Sequence, residues 1–194
     1  MLAEPGPRKP AIVSSKTEII ADYQSHISDL LGELGFPPDY ADRCNLPLQV
    51  EADELCSIGP DIFHREQSLS PEAAQAWQAM CAAAAAEAVE LQIVSAFRSV
   101  AYQADILRRK LEQGQCLTDI LQVSAAPGYS EHHSGRALDL TTPGYEPLEP
   151  EFEQSAAFAW LTANASRYGF SLSYPRDNPH GIAYEPWHWC WRSV

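Results

Sequence analysis

Two short stretches rich in histidine and acidic residues constrain most strongly how this chain can fold. The first, Ser130 to Asp139, reads Ser-Glu-His-His-Ser-Gly-Arg-Ala-Leu-Asp, and the second, at 185–189, reads Glu-Pro-Trp-His-Trp. The first stretch needs the second to make chemical sense, because His132, Asp139 and His188 together supply two imidazoles and one carboxylate. The fold is therefore expected to bring the two stretches into contact.

Two imidazoles and one carboxylate form the ligand set of a catalytic zinc site, in which one coordination position stays open. Glu185 lies three residues before His188 and is the candidate general base. The alternative is that these are ordinary surface polar residues in two aromatic-rich segments. That alternative is reasonable for any single histidine and much weaker for the whole set.

The residues around Asp139 favour a ligand that projects from a strand. Gly135 allows a turn, and the segment 136–140 then has the pattern of a short strand. Ala137 and Asp139 share one face of such a strand, and the small side chain of Ala137 leaves room beside a metal ion.

Two local questions remain at the ligands. His133 competes with His132, but an extended segment before Gly135 would send the two side chains to opposite sides, so we assign the ligand role to His132. A regular strand would also place Glu185 and His188 on opposite faces. A bend at Pro186 would turn both of them toward the metal.

Three motifs in the chain resemble those of the VanY-like D-alanyl-D-alanine carboxypeptidase family of zinc peptidases. They are Arg98-Ser99-x-x-x-Gln103, Ser130-x-His132-x-x-Gly135-x-Ala137-x-Asp139 and Glu185-Pro186-Trp187-His188-Trp189. They follow the family's order, and the resemblance covers about residues 90 to 190. It implies zinc held by His132, Asp139 and His188, Glu185 as catalytic base, and a substrate site lined by Arg98, Gln103 and Ser130. Cys190 departs from the pattern, since a basic or aromatic residue is expected there.

The activity implied by the resemblance is removal of the terminal D-alanine from a peptidoglycan-derived peptide or muropeptide. Such an enzyme must hold the terminal carboxylate of its substrate, and the planar guanidinium of Arg98 suits that role. Gln103 and Ser130 would add neutral hydrogen bonds. The metal motifs do not determine whether an L,D or a D,D bond is cut, and we favour L,D-carboxypeptidase activity on tetrapeptides.

Three alternatives stay open. The first is a D,D-carboxypeptidase that acts on pentapeptides. The second is a module that binds wall peptides without cutting them, although a pure binder has no need of the Glu185 carboxylate. The third is an endopeptidase of the same architecture, which would need an open groove without the cation Arg98 at its end.

The composition limits the class of protein to which the chain can belong and the partners that it is expected to bind. The 194 residues are 45% hydrophobic, and 26 acidic against 13 basic side chains give a net charge of -13. This charge disfavours binding to nucleic acid and to anionic membranes. No window reaches the roughly 18 apolar residues of a membrane span. The oligomeric state and the roles of His64, His133 and His180 are not determined.

The compartment is predicted from the N-terminus and the cysteines. The first residues lack the basic start and apolar core of a signal peptide, so a cytoplasmic location is expected, with a periplasmic or exported location as the alternative if the N-terminus has been trimmed. The five cysteines are odd in number and fit reduced thiols. A cytoplasmic enzyme that cut pentapeptides would spoil wall synthesis, which is why recycled tetrapeptides are the favoured substrate.

Apolar periodicity and capping residues predict an α+β domain with a small, mostly antiparallel sheet, helices packed on it and the zinc site in a cleft on the sheet. A flexible arm at 1–15 would precede a single zinc peptidase domain at 16–194, with a helical part at about 16–90 and a catalytic core at about 91–194. Helices are predicted at 17–34, 71–90, 99–111 and 152–168, a helical turn at 118–122, loops at 36–69, and strands at 91–97, 136–140, 170–174 and 182–191.

Overall fold

A computed structural model describes residues 16–192, so the predicted arm at 1–15 lies outside the described residues. The helices are α1 (Lys16–Glu33), α2 (Tyr40–Arg43), α3 (Pro71–Ala86), α4 (Val100–Glu112), α5 (Leu117–Ile120) and α6 (Ala156–Asn164). The strands are β1 (Cys56–Pro60), β2 (Glu66–Leu69), β3 (Gln92–Ser95), β4 (Ala137–Thr141), β5 (Phe170–Leu172) and β6 (His188–Trp191). Short 3-10 turns occupy Glu131–Ser134, Pro150–Gln154 and Ala165–Tyr168.

The main sheet has the order β3-β4-β6-β5, and each neighbouring pair is antiparallel. Strands β1 and β2 form a separate antiparallel hairpin. Leu138 and Leu140 are fully buried in the core, and because side chains alternate along a strand, Asp139 projects from the opposite face. The predicted α+β class with a small antiparallel sheet is confirmed.

Two hydrophobic clusters flank the candidate site. The first packs α3 and α6 against the main sheet and includes Trp77, Met80, Leu138, Leu161 and Phe170. The second packs α1 against α4 and α5 and includes Ile27, Leu31, Val100, Leu107 and Ile120. The cleft described below is lined by members of both clusters, so both support its walls.

Helix α1 matches the predicted amphipathic pattern over most of its length. Ile27 and Leu31 are buried, whereas Ile19, near its start, is 58% exposed. The helix ends at Glu33, before Gly35, as expected. Within residues 16–192, none of the helices has both the length and the apolar character that crossing a bilayer requires.

The prediction of loops throughout 36–69 was wrong, because residues 56–69 form the hairpin β1–β2. The segment Cys-Ser-Ile-Gly-Pro of β1 has no regular alternation, and the strand register shifts between Ser57 and Gly59. A bulge of this kind removes the period of two on which strand prediction depends. The part at 16–90 is therefore not purely helical.

Three other predicted boundaries also differ. The last strand begins at His188 rather than at 182, because Ala183 N–H bonds to Gln122 O at 2.8 Å and Pro186 has no N–H to give to a ladder. The predicted helix at 152–168 is interrupted at Ser155, whose extended backbone caps α6 through a hydrogen bond from Phe158 N–H to its hydroxyl at 3.0 Å. Helix α3 ends at Ala86 instead of 90.

Candidate active site

His132, Asp139 and His188 are brought together by the pairing of β4 with β6. Asp139 lies directly opposite His188 in that antiparallel pair, so the two side chains project from the same face. His132 comes from the 3-10 turn that precedes β4. One ligand atom from each of the three residues lies within 4.8 Å of the others, and all three residues are buried.

Gly135 makes this arrangement possible. Its φ of 65° is in the left-handed region, and a Cβ there would lie 2.9 Å from the backbone nitrogen of Ser70. The choice of His132 over His133 assumed an extended segment before Gly135. The segment instead curls into a 3-10 turn, in which Gly135 N–H bonds to His132 O at 3.2 Å. The turn directs His132 into the cleft and leads the chain into β4.

The tautomer of His132 is fixed by the backbone of Ala96. Nδ1 lies 2.5 Å from Ala96 O, and because a carbonyl oxygen only accepts, Nδ1 carries the proton. Burial and the nearby Arg98 lower the pKa of His132 to about 4, so its ring is neutral. The unprotonated Nε2 is buried without a hydrogen-bond partner and lies 3.2 Å from Asp139 Oδ2. Two facing acceptors of this kind require a cation between them.

The ring of His188 is held by Glu131, a residue that the sequence analysis did not assign. Nε2 of His188 donates to Glu131 Oε2 at 3.0 Å, which turns Nδ1 toward Asp139 Oδ1 at 2.9 Å. Burial opposes ionisation of His188, but Asp139 and Glu131 raise its pKa to about 10. Burial also opposes ionisation of Glu131, yet His188, Ser173 and Arg192 hold its pKa well below the usual range. This position therefore also favours a cation, either a proton or a metal ion on Nδ1.

These donors fit a zinc ion. The outer nitrogen of each imidazole donates to a fixed acceptor, Ala96 O for His132 and Glu131 for His188, and such partners orient metal-binding histidines. Asp139 completes a set of two nitrogens and one carboxylate, which suits zinc rather than calcium or magnesium, since these prefer oxygen ligands. Burial opposes ionisation of Asp139, but His132 and His188 keep its pKa well below the usual range.

Glu185 lies beside the three donors because residues 185–188 form a tight turn. His188 N–H bonds to Glu185 O at 3.1 Å, and the turn contains Pro186, where a bend was predicted. Glu185 Oε2 is 3.9 Å from His188 Nδ1. Burial raises the pKa of the Glu185 carboxyl to about 7, against the opposing effect of His188. A carboxyl with this pKa can both accept and release a proton near neutrality.

Arg98 and Gln103 meet at the other side of the donors. Arg98 follows β3, and its Nη2 is 3.5 Å from Asp139 Oδ2 while its Nη1 donates to Gln103 Oε1 at 3.3 Å. Gln103 lies in α4, is 1% exposed and donates through Nε2 to Ala125 O at 2.8 Å. Ser130 is buried, and it lines the same cleft as both of these residues.

All seven residues singled out in the sequence line one cleft of about 420 Å³. One wall comes from α4 and the segment 123–125, and it includes Ile106, Lys110 and Ser124. The other wall includes Leu148 from the loop after β4. Leu148 has a φ of 62°, an uncommon conformation for a residue other than glycine, and its side chain is 44% exposed.

The histidines without an assigned role do not contribute to the metal-binding group. His133 uses both ring nitrogens, one at 2.6 Å from Arg98 O and the other accepting from Gly128 N–H at 3.1 Å. His180 contacts Asn45 O at 3.0 Å, and His64 is exposed in the turn of the β1–β2 hairpin. Cys190, which departs from the motif, is buried within β6.

A second outer network also escaped the sequence analysis. Gln67 accepts from Ala96 N–H at 2.9 Å and donates to Asp61 Oδ2 at 2.9 Å, and Ser68 O of the same hairpin accepts from Phe97 N–H at 3.1 Å. The hairpin therefore holds the backbone on both sides of Ala96, whose carbonyl contacts His132. Glu131 carries a detectable signal in the sequence, because it is an acid next to a predicted ligand. Gln67 carries none, since it is remote from every motif.

Comparison with known proteins gives a consistent set of relatives. Residues 66–194 match the family described as VanY: D-alanyl-D-alanine carboxypeptidase. The bifunctional D-Ala-D-Ala dipeptidase and D-Ala-D-Ala carboxypeptidase VanXYC of Enterococcus gallinarum is 35% identical over 150 residues, which are 74% of this chain and 77% of that protein.

Solved structures are also similar. The LdcB LD-carboxypeptidase is 31% identical with a TM-score of 0.66, over 75% of this chain and 71% of that chain. A variant of the vancomycin-resistance D,D-pentapeptidase VanY in complex with Zn(II) is 25% identical with a TM-score of 0.58, over 77% of this chain and 83% of that chain. The chain is therefore similar in fold to both proteins, and one of them is a complex with zinc.

Proposed function

The chain belongs to the VanY family of D-alanyl-D-alanine carboxypeptidases, and from this premise we propose that it is a zinc carboxypeptidase that removes terminal D-alanine from peptidoglycan stem peptides. One observation carries the proposal. The buried donors His132, Asp139 and His188 converge next to the buried carboxyl of Glu185, whose Oε2 lies 3.9 Å from His188 Nδ1. Structural zinc sites have no need of such a neighbour, whereas peptide hydrolysis needs a base.

In this proposal His132 Nε2, His188 Nδ1 and Asp139 hold the zinc ion. When bound, zinc acts as a Lewis acid that polarises the scissile carbonyl and makes water a stronger nucleophile. Glu185 takes a proton from the attacking water and delivers it to the nitrogen of the departing D-alanine. Burial of the carboxyl suits this exchange, since it brings the pKa of Glu185 close to neutrality.

Arg98 makes the enzyme an exopeptidase. Its guanidinium lies beside the donor group, 3.5 Å from Asp139, and can pair with the terminal carboxylate of the substrate. Gln103 and Ser130 line the same cleft and add neutral hydrogen bonds.

We propose the L,D bond of tetrapeptides as the preferred target. Among the solved structures, the LD-carboxypeptidase LdcB has a higher TM-score with this chain than the zinc-bound D,D-pentapeptidase, and this structural likeness supports the proposal. The D,D-carboxypeptidase activity on pentapeptides stays the second candidate, because VanXYC is named for action on D-Ala-D-Ala. The cytoplasmic location and the recycling role stay predictions.

The test is mass spectrometry of the products from a synthetic tetrapeptide that ends in D-alanine and a pentapeptide that ends in D-Ala-D-Ala. Loss of a single alanine from the tetrapeptide supports the L,D proposal, and faster loss from the pentapeptide supports the D,D alternative. Cleavage inside the peptide would indicate an endopeptidase. Tight binding of either peptide without any product would indicate a binding module.

A further inference from the structure

Lys110 is a cation of the cleft that the proposed reaction does not use. It lies on the face of α4 that also presents Gln103 and Ile106 to the cleft, at successive turns of the helix. Its side chain is partly buried and its Nζ donates to Ser124 Oγ at 2.9 Å. Among residues 16–192 it forms no ion pair, so its charge is compensated only by more distant groups.

The charges of the cleft leave room for more than one negative group on the substrate. Apart from the histidines, Arg98 and Lys110 are the two basic side chains that line the cleft, and Asp139 and Glu185 are its two carboxyl side chains. Burial and Arg98 lower the pKa of Lys110, while Glu185 acts in the opposite direction. A divalent ion on the three donors would add two positive charges to a balanced set. A substrate with only its terminal carboxylate would neutralise half of that excess.

Lys110 lies two turns beyond Gln103 on α4, and a substrate whose last residue is held at Arg98 extends from that end only in the upstream direction. From Gln103 to Lys110 the helix rises by about 10 Å, at 1.5 Å per residue. An extended peptide covers roughly 3.3 Å per residue, and helical side chains lean toward the helix N-terminus, so the ammonium lies about one or two residues from the anchored end.

We infer that Lys110 binds a second carboxylate of the substrate, carried by one of the two residues that precede the released D-alanine. The inference rests on the proposed function and narrows its substrate class to stem peptides in which this carboxylate is free. Peptides with an amide or an amine in its place lack the charge that pairs with the ammonium and are poorer ligands. Ser124, which already orients Nζ, keeps the ammonium directed into the cleft.

The experiment compares matched tetrapeptides ending in D-alanine, with meso-diaminopimelate, its side-chain amide or L-lysine before the D-alanine. In a fourth peptide the free carboxylate of the preceding γ-linked glutamate is amidated. The set therefore distinguishes the carboxylate of diaminopimelate from that of glutamate. Calorimetric binding to Glu185→Gln protein gives Kd without turnover, and kcat/KM is measured with Glu185 intact. We expect one amidation to weaken binding about tenfold or more, as for loss of a charge-assisted hydrogen bond.

The variants decide whether Lys110 is responsible. Lys110→Met keeps the length of the side chain and should bring the free-acid and amidated peptides to within about twofold in Kd, whereas Lys110→Arg should preserve the difference. Arg109→Met is the control, because it removes one charge from the exposed face of α4, where Arg109 lies 5.9 Å from the Tyr102 ring. It should leave the preference intact.

Equal affinity of the Lys110-intact protein for all four peptides would overturn the inference. So would a preference that survives in Lys110→Met, or that disappears equally in Arg109→Met. These failures are distinct from failure of the proposed function. If D-alanine is released but the free-acid peptide is not preferred, only the Lys110 site is contradicted. If the free-acid peptide binds with a lower Kd but no peptide releases D-alanine, the Lys110 site is supported and the proposed reaction is contradicted.

Discussion

Each imidazole of the candidate metal site is oriented by a residue to which the motifs assign no role. Ala96 O fixes the proton of His132 on Nδ1, and Glu131 fixes the proton of His188 on Nε2. Both rings then direct an unprotonated nitrogen toward Asp139 when a metal ion replaces the remaining proton. The geometry of the site therefore depends on two acceptors as well as on three ligands.

Glu185→Gln separates metal binding from catalysis. The amide keeps the volume of the carboxylate but cannot accept a proton, so turnover should fall by roughly two to four orders of magnitude. Zinc content and peptide affinity should remain near those of the unmodified protein. Steady-state kinetics with elemental analysis checks both, and near-normal turnover would assign the base to another group.

Arg98 should distinguish peptides with and without a free C-terminus. Amidation of the terminal carboxylate leaves the guanidinium without its partner, so the unmodified protein should cleave the amidated tetrapeptide far more slowly. Arg98→Ala should lose activity on the free acid and show little further loss on the amide. Arg98→Lys should recover only part of the activity, because an ammonium lacks the two-pronged geometry.

The comparison is a two-by-two measurement of kcat/KM, with protein variant and substrate form as its two factors. If Arg98→Ala reduces both substrates equally, Arg98 acts through Asp139, 3.5 Å away, rather than on the carboxylate. That result would remove the main argument for an exopeptidase.

The sequence singled out His132, Asp139, His188 and Glu185 as candidates because they are polar residues in compact motifs with unusual spacing. It did not predict Glu131, Gln67 or Lys110 as parts of the site. Glu131 acquires its role only through the turn that curls before Gly135, and Lys110 only through the orientation of α4 against the cleft. Both depend on packing between distant segments, which no local pattern encodes.

Among the elements, the β1–β2 hairpin supports the site through hydrogen bonds to the backbone at the end of β3. Gln67 links Asp61 to the backbone of Ala96, and Asp61 also accepts from Arg65 Nε at 2.7 Å. The hairpin thereby holds the end of β3 in place, and Arg65 adds a hydrogen bond to Val94 O at 3.1 Å. It was missed in the sequence because β1 contains a bulge, whereas the strands of the main sheet have regular apolar patterns.

We predict that Gln67→Ala weakens zinc binding by about tenfold, the lower end of what loss of an outer partner costs a metal site. The shift should arise because the backbone of Ala96, whose carbonyl contacts His132, loses its hydrogen bond to the Gln67 side chain. Competition with a chromophoric chelator measures the affinity, and thermal melting reports separately on the fold. Gln75→Ala, on the exposed face of α3, is the matched control. Equal zinc affinity in both variants would show that the hairpin does not position His132.

The segment before Glu185 is also anchored from outside. Arg176 pairs with both carboxylate oxygens of Glu153 at 2.9 Å and lies 3.9 Å from the centre of the Tyr184 ring. Tyr184 in turn donates to Glu153 Oε2 at 2.9 Å. The last strand was predicted to begin at 182, but the chain before His188 is irregular and is fixed by these side-chain contacts. Such contacts leave no strand periodicity in the sequence, so the start of the strand was placed too early.

For the molecule as a whole, the cleft contrasts with the rest of the surface. The chain carries a net charge of -13, yet two basic side chains and the three candidate metal ligands line one cleft. An acidic peptide is repelled at a distance and attracted only at the site, so binding should depend on the bound metal ion and on local cations rather than on long-range steering.

The most direct test of the central claim is a titration of zinc into protein from which metal has been removed, with D-alanine release from the tetrapeptide as the readout. We predict no release without metal, a linear rise with added zinc and a plateau at about one zinc per chain. His132→Ala and His188→Ala should stay inactive at the same zinc concentrations. Full activity in the metal-free protein, or full zinc occupancy in both variants, would contradict the site at His132, Asp139 and His188.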